Sequence, residues 1–439
     1  MKELTNIPTT KVERATKFIK TGAKLGVNYL KHYTKNIVSD APVSRQQLDQ
    51  DNAKDIFDAL SEMKGSVLKL LQMLSMEKNF LPAAYTEKFA DAQYRTPPLS
   101  APLVVKTFVQ SIGQPPSQLF DTFNVRATSA ASIGQVHQAT KNSKQLAVKI
   151  QYPGVANAIH SDIQMVKPIA FRVMGLPEID FEKYLQEVET KLIEETNYTL
   201  ELKRSMTLSD QCRHLKNLVF PQYYPELSSS KIITMDWIEG LHLKEFLMTN
   251  PPQSIRNQIG QALWDFYDFQ VHTLKTIHAD PHPGNFIIQP DGNVGVIDFG
   301  CVKEIPNDFY TLFFSLVLNE TLDNPKRLQS ALLQAEILFE DDTPQKKAFY
   351  MDLFKENLRW AGKPFQNQTF DFGDASYMTD MQEMGNKLMQ NEELKKERDA
   401  RGSTHFIYIN RTYFGLYALL NELGANIETR GLHFIKPKK

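Results

Sequence analysis

Four side chains in this 439-residue chain are of types that could together handle phosphate and a divalent cation: Lys149, Asp280, Asn285 and Asp298. Lys149 lies in the apolar run Gln145-Leu146-Ala147-Val148-Lys149-Ile150. An ammonium group there is costly to bury unless it meets an anion, either a phosphate or a partner glutamate. A lysine at a strand end can otherwise snorkel to water. Asp280 and Asn285 stand five apart in His278-Ala279-Asp280-Pro281-His282-Pro283-Gly284-Asn285-Phe286, a loop rich in Pro and Gly between a helical and a strand-like segment. Asp298 opens Asp298-Phe299-Gly300, after a turn at Asp291-Gly292-Asn293. Magnesium takes oxygen ligands, which Asn285 and Asp298 supply. Phosphoryl transfer needs positioning and charge neutralisation more than covalent chemistry. His278 and His282 read as packing and hydrogen-bonding residues, because zinc would need further nitrogen or sulfur ligands.

The order of these segments resembles that of protein kinases: a strand lysine, a loop of type HxDxxxxN, a short hairpin, then DFG. Ser129-Ala130-Ala131-Ser132-Ile133-Gly134-Gln135-Val136-His137 stands where those enzymes carry a Gly-rich loop, and small residues still allow a close backbone approach to phosphates. With SIGQVH and HADPHPGN, the chain resembles the UbiB-like atypical kinases, also called AarF-domain or ADCK-type kinases, over roughly residues 51–424.

That resemblance implies a site for ATP or ADP with Mg2+, the metal held by Asn285 and Asp298. It implies catalytic roles for Asp280 and Lys149, and a Lys149–Glu201 ion pair. Ser129, Ala130, Ala131 and Ser132 would lie along the nucleotide, and the backbone around Met235, Asp236 and Ile238 would meet the adenine edge. The family's KxGQ element corresponds to Lys69-Leu70-Leu71-Gln72, in which Leu71 replaces glycine. Its ExD element corresponds to Glu195-Thr196-Asn197, in which Asn197 keeps an acceptor oxygen but loses the charge. Lys69, Gln72 and Glu195 are carried over as further catalytic residues. The family's extension folds over the place where a protein substrate would dock, which implies ATP hydrolysis or a small or lipid-like acceptor. It also implies support of quinone or isoprenoid-lipid biosynthesis beside a membrane, with quinone-biosynthesis proteins as partners. Ala279 precedes Asp280 where kinases have arginine, and no APE-type element follows Gly300, so control by activation-loop phosphorylation is not expected.

The elements that must position these residues follow from periodicity. Val-, Ile- and Thr-rich runs at residues 127–139, 145–151 and 231–237 predict strands. Residues 181–208 predict one long charged helical stretch. Beyond Gly240 the pattern is helical apart from short strands at 286–288 and 294–297. The expected architecture is α+β: a bilobal protein-kinase-like fold with an N-terminal helical extension. Its expected parts are a basic amphipathic helix (1–38), the extension with the KxGQ-like element (46–98), a strand-bearing lobe (99–235) and a helical lobe (236–439).

Composition sets the outer limits. With 42% hydrophobic and 23% charged residues the chain can bury a sizeable core. A net charge of -1 argues against a general polyanion binder, so nucleic acid is not an expected partner. Two distant cysteines, Cys212 and Cys301, form no disulfide framework. No window offers about 18 consecutive apolar residues, and residues 1–14 lack a signal-peptide core. The expected location is cytoplasmic, with peripheral membrane contact as the open question.

That question rests on the first 38 residues, where eight Lys/Arg face only Glu3 and Glu13. Val12, Ala15, Ile19, Ala23, Gly26, Leu30 and Tyr33 recur at helical spacing, with Lys17, Lys20, Lys24 and Lys31 beside them. Such a helix either packs its apolar stripe on its own protein or lays it on an anionic membrane surface. Two other functions stay open: a nucleotide-binding pseudokinase scaffold, favoured by Leu71 and Asn197, and a small-molecule kinase of the aminoglycoside or choline type.

Overall fold

The computed structural model describes residues 11–38, 45–61, 67, 70, 84–85, 88, 98–130, 133–172, 178–390 and 401–432. The chain divides into two compact units, Met1–Lys203 with Gln222–Trp237, and Arg204–Pro221 with Ile238–Lys439.

The first unit is built on an antiparallel sheet. Its strands run in the order Thr122–Phe123, Gly134–Lys141, Lys144–Gln151 and Ile232–Asp236, and Ser129–Ala130 also pairs with Gly134–Lys141. Asn142 and Ser143 join the two long strands, both at positive φ (51° and 63°). Two such residues in succession give the tight turn whose twist matches that of a hairpin. Strand side chains alternate between faces. Leu146, Val148 and Ile150 enter a core with Val104, Phe108 and Phe120. Ala147 enters a second core with Ile133, Val155, Tyr198, Ile233 and Met235. Lys149, two residues on from Ala147, belongs to that second face.

The helical stretch predicted over 181–208 is two helices, Glu178–Glu195 and Tyr198–Cys212. Asn197 makes the break. Its Oδ1 accepts from the Leu200 amide at 3.1 Å, and its carbonyl accepts the first helical bond, from Glu201 N at 3.0 Å. Asparagine is among the best residues for this capping position because its side chain satisfies an amide the helix cannot.

The N-terminal helix spans Lys11–Val38 and packs against the helices Arg45–Ser61 and Val155–Arg172. The packed face carries Arg14, Thr21 and Leu25, all buried. The Arg14 guanidinium grips the buried Asp162 carboxylate at two points, one of them Nε to Oδ1 at 2.6 Å. Asn28 Nδ2 donates to Asp55 Oδ2 at 2.8 Å. Of the predicted apolar stripe, Ile19, Ala23, Gly26 and Leu30 are on the exposed side, and the side chains of Val12, Ala15 and Tyr33 lie outside the described ones. Ile19 is 73% exposed, Leu30 66% and Val27 47%, with Ala23 and Gly26 exposed between them. The buried ion pair and Leu25 set the orientation of this helix, and hydrophobic periodicity alone could not weigh that pair.

The second unit has a large core around the helix Gln253–Phe269, which buries Trp264, Phe266 and Tyr267 and packs against the helix Thr404–Leu423. Short sheets decorate it. Phe286–Ile288 pairs with Val294–Val296, one residue shorter than predicted, and the latter pairs with Leu218–Val219. Thr276–His278 pairs with Val302–Glu304. Among the described residues, no helix is long and apolar enough to cross a membrane.

Candidate functional site

In the first unit Lys149 and Glu201 meet as the sequence predicts. Lys149 Nζ donates to Glu201 Oε1 at 2.6 Å, and both side chains are more than nine-tenths buried. The ammonium also lies 5.2 Å from the ring centroid of Tyr198, three residues before Glu201 and so on the same helix face. At the strand's end, Gln151 Nε2 donates to the Thr196 carbonyl at 2.8 Å and fastens the strand to the helix break. Glu195, beside that break, is buried.

The SIGQVH run shows structural work that its sequence did not announce. A Cβ on Gly134 would come within 2.5 Å of the Ile150 carbonyl oxygen and 2.8 Å of Tyr198 Oη, so only glycine lets these groups approach. Gln135 and His137 are fully buried. Gln135 Oε1 accepts from Leu99 N at 2.9 Å, and its Nε2 lies 2.9 Å from His137 Nε2. His137 Nδ1 lies 2.8 Å from the Asn124 carbonyl, which can only accept. The imidazole is therefore the Nδ1–H tautomer, and Nε2 accepts from Gln135. Burial pulls the His137 pKa below its ordinary value, against the opposing effect of the Asn124 bond. Ser129 and Ala130 form the strand that flanks this run, opposite Val136 and Gln135. Ala131 and Ser132 lie outside the described residues, as do Lys69, Leu71 and Gln72, while Leu70 is buried.

Met235 is buried on the face that carries Lys149. Asp236 is tied down within the first unit: Oδ1 accepts from Tyr224 Oη at 2.6 Å and Oδ2 from Gln222 N at 3.0 Å. Its own amide donates to the Gln222 carbonyl and that of Trp237 to the Gln145 carbonyl, so both amides are already engaged. Ile238 belongs to the second unit, where a Cβ on Gly295 would come within 2.8 Å of its Cγ2.

In the second unit two backbone ladders assemble the remaining residues. The hairpin register sets Phe286 opposite Val296, and the Ile297 amide donates to the Asn285 carbonyl at 3.1 Å. Asn285 and Asp298 thus come to the same end of one hairpin. The other ladder sets His278 opposite Val302, and the Ala279 amide donates to the Cys301 carbonyl at 2.9 Å. It draws Asp280 toward the Asp298-Phe299-Gly300 segment. Asn285 Nδ2 donates to the Asp280 carbonyl at 2.9 Å, which directs its Oδ1 the other way as an acceptor. Asp298 Oδ1 accepts from Gly300 N at 2.7 Å.

The two histidines serve this scaffold. His278 is fully buried, with Nδ1 3.1 Å from Tyr267 Oη and its ring 5.6 Å from that of Phe299. His282 Nδ1 accepts from Gly284 N at 2.9 Å and shapes the turn at Pro283–Asn285. One residue went unpredicted: Arg411 donates from Nη2 to Asp280 Oδ1 at 2.8 Å. It lies 131 residues downstream in no recognisable motif, so only the fold reveals it.

A family model described as the ABC1 atypical kinase-like domain matches residues 91–332, more than half of the chain. The chain belongs to this family. Its fold is α+β and protein-kinase-like. Among its relatives, the probable serine/threonine-protein kinase abkA of Dictyostelium discoideum is 23% identical over 96% of this chain and 78% of that protein. The mitochondrial atypical kinase COQ8 of Saccharomyces cerevisiae is 25% identical over 96% of this chain and 84% of that protein. An aarF domain-containing protein kinase of Arabidopsis thaliana, At1g71810, is 28% identical over 64% of this chain, which spans only 40% of that protein. A solved structure, the complex of Rv3197 with erythromycin from Mycobacterium tuberculosis, superposes with a TM-score of 0.59 at 25% identity, over 88% of this chain and 95% of that one.

A magnesium site is compatible with this ABC1 chain. Among the described residues, no three His, Cys, Asp or Glu side chains gather as a metal-binding group. Magnesium does not require one, since it keeps several waters and binds through one or two carboxylates together with phosphates. Asn285 Oδ1 and the Asp298 carboxylate are oxygen donors of that kind.

Proposed function

We propose that this ABC1-family protein binds ATP with magnesium and acts as an atypical kinase or ATPase. The observation that carries the reading is the convergence of Asp280, Asn285 and Asp298 through two backbone ladders in the second unit. Asn285 and Asp298 would hold magnesium, and Asp280 would orient the attacking group. Lys149, kept in place by Glu201, would meet phosphate oxygens. Bound magnesium would neutralise charge on the phosphates, and the chain's own part is to position them. Lys69, Gln72 and Glu195 are proposed as further contributors on the family resemblance, and the adenine edge is assigned to the backbone around Met235 and Ile238.

The setting we propose is an anionic membrane surface, with an isoprenoid or quinone-type lipid pathway as the process served. The support is the exposed stripe of Ile19, Ala23, Gly26 and Val27, flanked by the exposed Lys20 and Lys24. An apolar face bordered by cations suits the boundary of an anionic bilayer.

The test is ATP turnover by the full chain in magnesium, with neutral vesicles and with vesicles carrying an anionic lipid. Turnover is expected, and Asp298→Asn should lower it by about 100-fold or more, the scale of losing one transition-state charge stabiliser. Turnover that Asp298→Asn leaves untouched would sink the enzymatic reading. Nucleotide binding without hydrolysis would identify a pseudokinase, and a soluble phosphorylated product a small-molecule kinase. Co-sedimentation with anionic vesicles only, lost in Ile19→Glu with the fold intact, is the expected membrane result.

A further inference from the structure

One turn of the helix Tyr198–Cys212 meets the strand lysine twice. Glu201 Oε1 accepts from Lys149 Nζ at 2.6 Å, and the Tyr198 ring has its centroid 5.2 Å from the same nitrogen, which stands over it. Both helix residues are buried, Tyr198 completely. Their spacing of three puts them on one helix face. The Asn197 cap fixes where this turn begins, since its carbonyl accepts from Glu201 N and its Oδ1 from Leu200 N.

The ring is itself held in place. It packs in one core with Ile133, Ala147 and Met235, on the sheet face that carries Lys149. Its hydroxyl end reaches Gly134, where a Cβ would come within 2.8 Å of Tyr198 Oη. The missing side chain at Gly134 therefore lets the tyrosine sit at this depth. A carboxylate sets the distance of an ammonium on a flexible four-carbon stem, and an aromatic face adds a direction. The attraction is strongest where water is excluded, as it is around this buried lysine.

We propose that Tyr198 is a positioning residue whose ring steadies the Lys149 ammonium for the nucleotide phosphates by cation–π attraction. This role rests on the reading of Lys149 as a phosphate-binding group.

The experiment uses the full chain and compares wild type, Tyr198→Phe, Tyr198→Leu and forms of Tyr198→Phe whose ring carries one, two or three fluorine atoms. Fluorine draws electrons from the ring and weakens its hold on a cation stepwise, with little change in size. The measurements are kcat and KM for ATP in magnesium, MgADP affinity, and thermal unfolding to establish that each variant is folded at the assay temperature. Tyr198→Phe keeps the ring and should retain kcat/KM within about threefold of wild type. Each added fluorine should lower kcat/KM, by about 10-fold over the series, the scale of a desolvated cation–π contact. Tyr198→Leu should lose about 10- to 100-fold, since misplacing a reacting group by about 1 Å can cost about 100-fold.

A flat fluorine series in a chain that turns over ATP would overturn the role and leave the kinase reading intact. A loss in Tyr198→Phe as large as in Tyr198→Leu would also overturn it, because the hydroxyl rather than the ring would then matter. If wild type binds MgADP without turnover, the kinase reading falls, and the same series read as MgADP affinity decides the role: a graded loss supports it and a flat one refutes it. A wild type that binds neither nucleotide would refute both. If Tyr198→Leu fails to fold, the fluorinated forms, close to phenylalanine in size, carry the test.

Discussion

The two units hold their candidate functional residues by different means. In the second unit the backbone does most of the holding: ladders at Phe286–Val296 and His278–Val302 bring Asp280, Asn285 and Asp298 together within 19 residues of sequence. In the first unit side chains do it. Lys149 and Glu201 are 52 residues apart, and their own contact joins strand to helix. Gln135 and His137 likewise link Leu99 to Asn124. A residue placed by its neighbours' backbone can be replaced without moving the scaffold, whereas a residue that is itself the link cannot.

The largest expected effect follows from that contrast. Glu201→Leu alone would leave Lys149 buried without its carboxylate, and losing one partner of a buried pair costs about 3–5 kcal/mol. The double variant Lys149→Met/Glu201→Leu should recover most of this, because an apolar pair of similar volume is often neutral or better. Asp298→Asn should cost under about 1 kcal/mol, since asparagine keeps an oxygen that can accept the Gly300 amide. Urea unfolding of the four proteins measures all three statements. A Glu201→Leu chain as stable as Asp298→Asn would erase the contrast between the units.

The same distinction explains what was legible in the sequence. The second unit's residues could be read as spacing, because a hairpin turns a fixed number of residues into a fixed distance. Even there Arg411 was hidden, since its contact depends on how a distant helix packs. In the first unit the strand lysine and Glu201 could be paired through the family resemblance. The scaffold role of Gln135 and His137 could not, although their i, i+2 spacing on a strand placed both on one face. The N-terminal helix was identified as a helix, but which face it buries was decided by Arg14 and Asp162, a pair 148 residues apart.

Gly134 gives a smaller and sharper test. Replacing glycine by alanine elsewhere can stabilise by restricting the unfolded chain, by about 0.4–1 kcal/mol. At Gly134 the added methyl would be driven against the Ile150 carbonyl and Tyr198 Oη, so a loss of about 1–3 kcal/mol is expected, the range for overpacking. Thermal unfolding decides the sign. A gain in stability would mean that the strand and Tyr198 yield easily, and that the glycine serves ligand approach alone.

The smallest effect concerns Asn197, the departure from the family's ExD element. A lost carboxylate there could be read as a damaged site. The geometry gives a different account: Asn197 is exposed, and its side chain caps the helix that carries Tyr198 and Glu201. Asparagine and aspartate cap about equally well, while alanine costs about 1 kcal/mol. Asn197→Ala should therefore lose about 1 kcal/mol of stability, and Asn197→Asp should stay within about 0.5 kcal/mol of wild type. The magnesium dependence of nucleotide binding should be unchanged in Asn197→Asp. A shift to lower magnesium concentration without a change in stability would show that a carboxylate here reaches the metal after all. Asn197 would then be a position where this chain gave up metal affinity and kept only the cap.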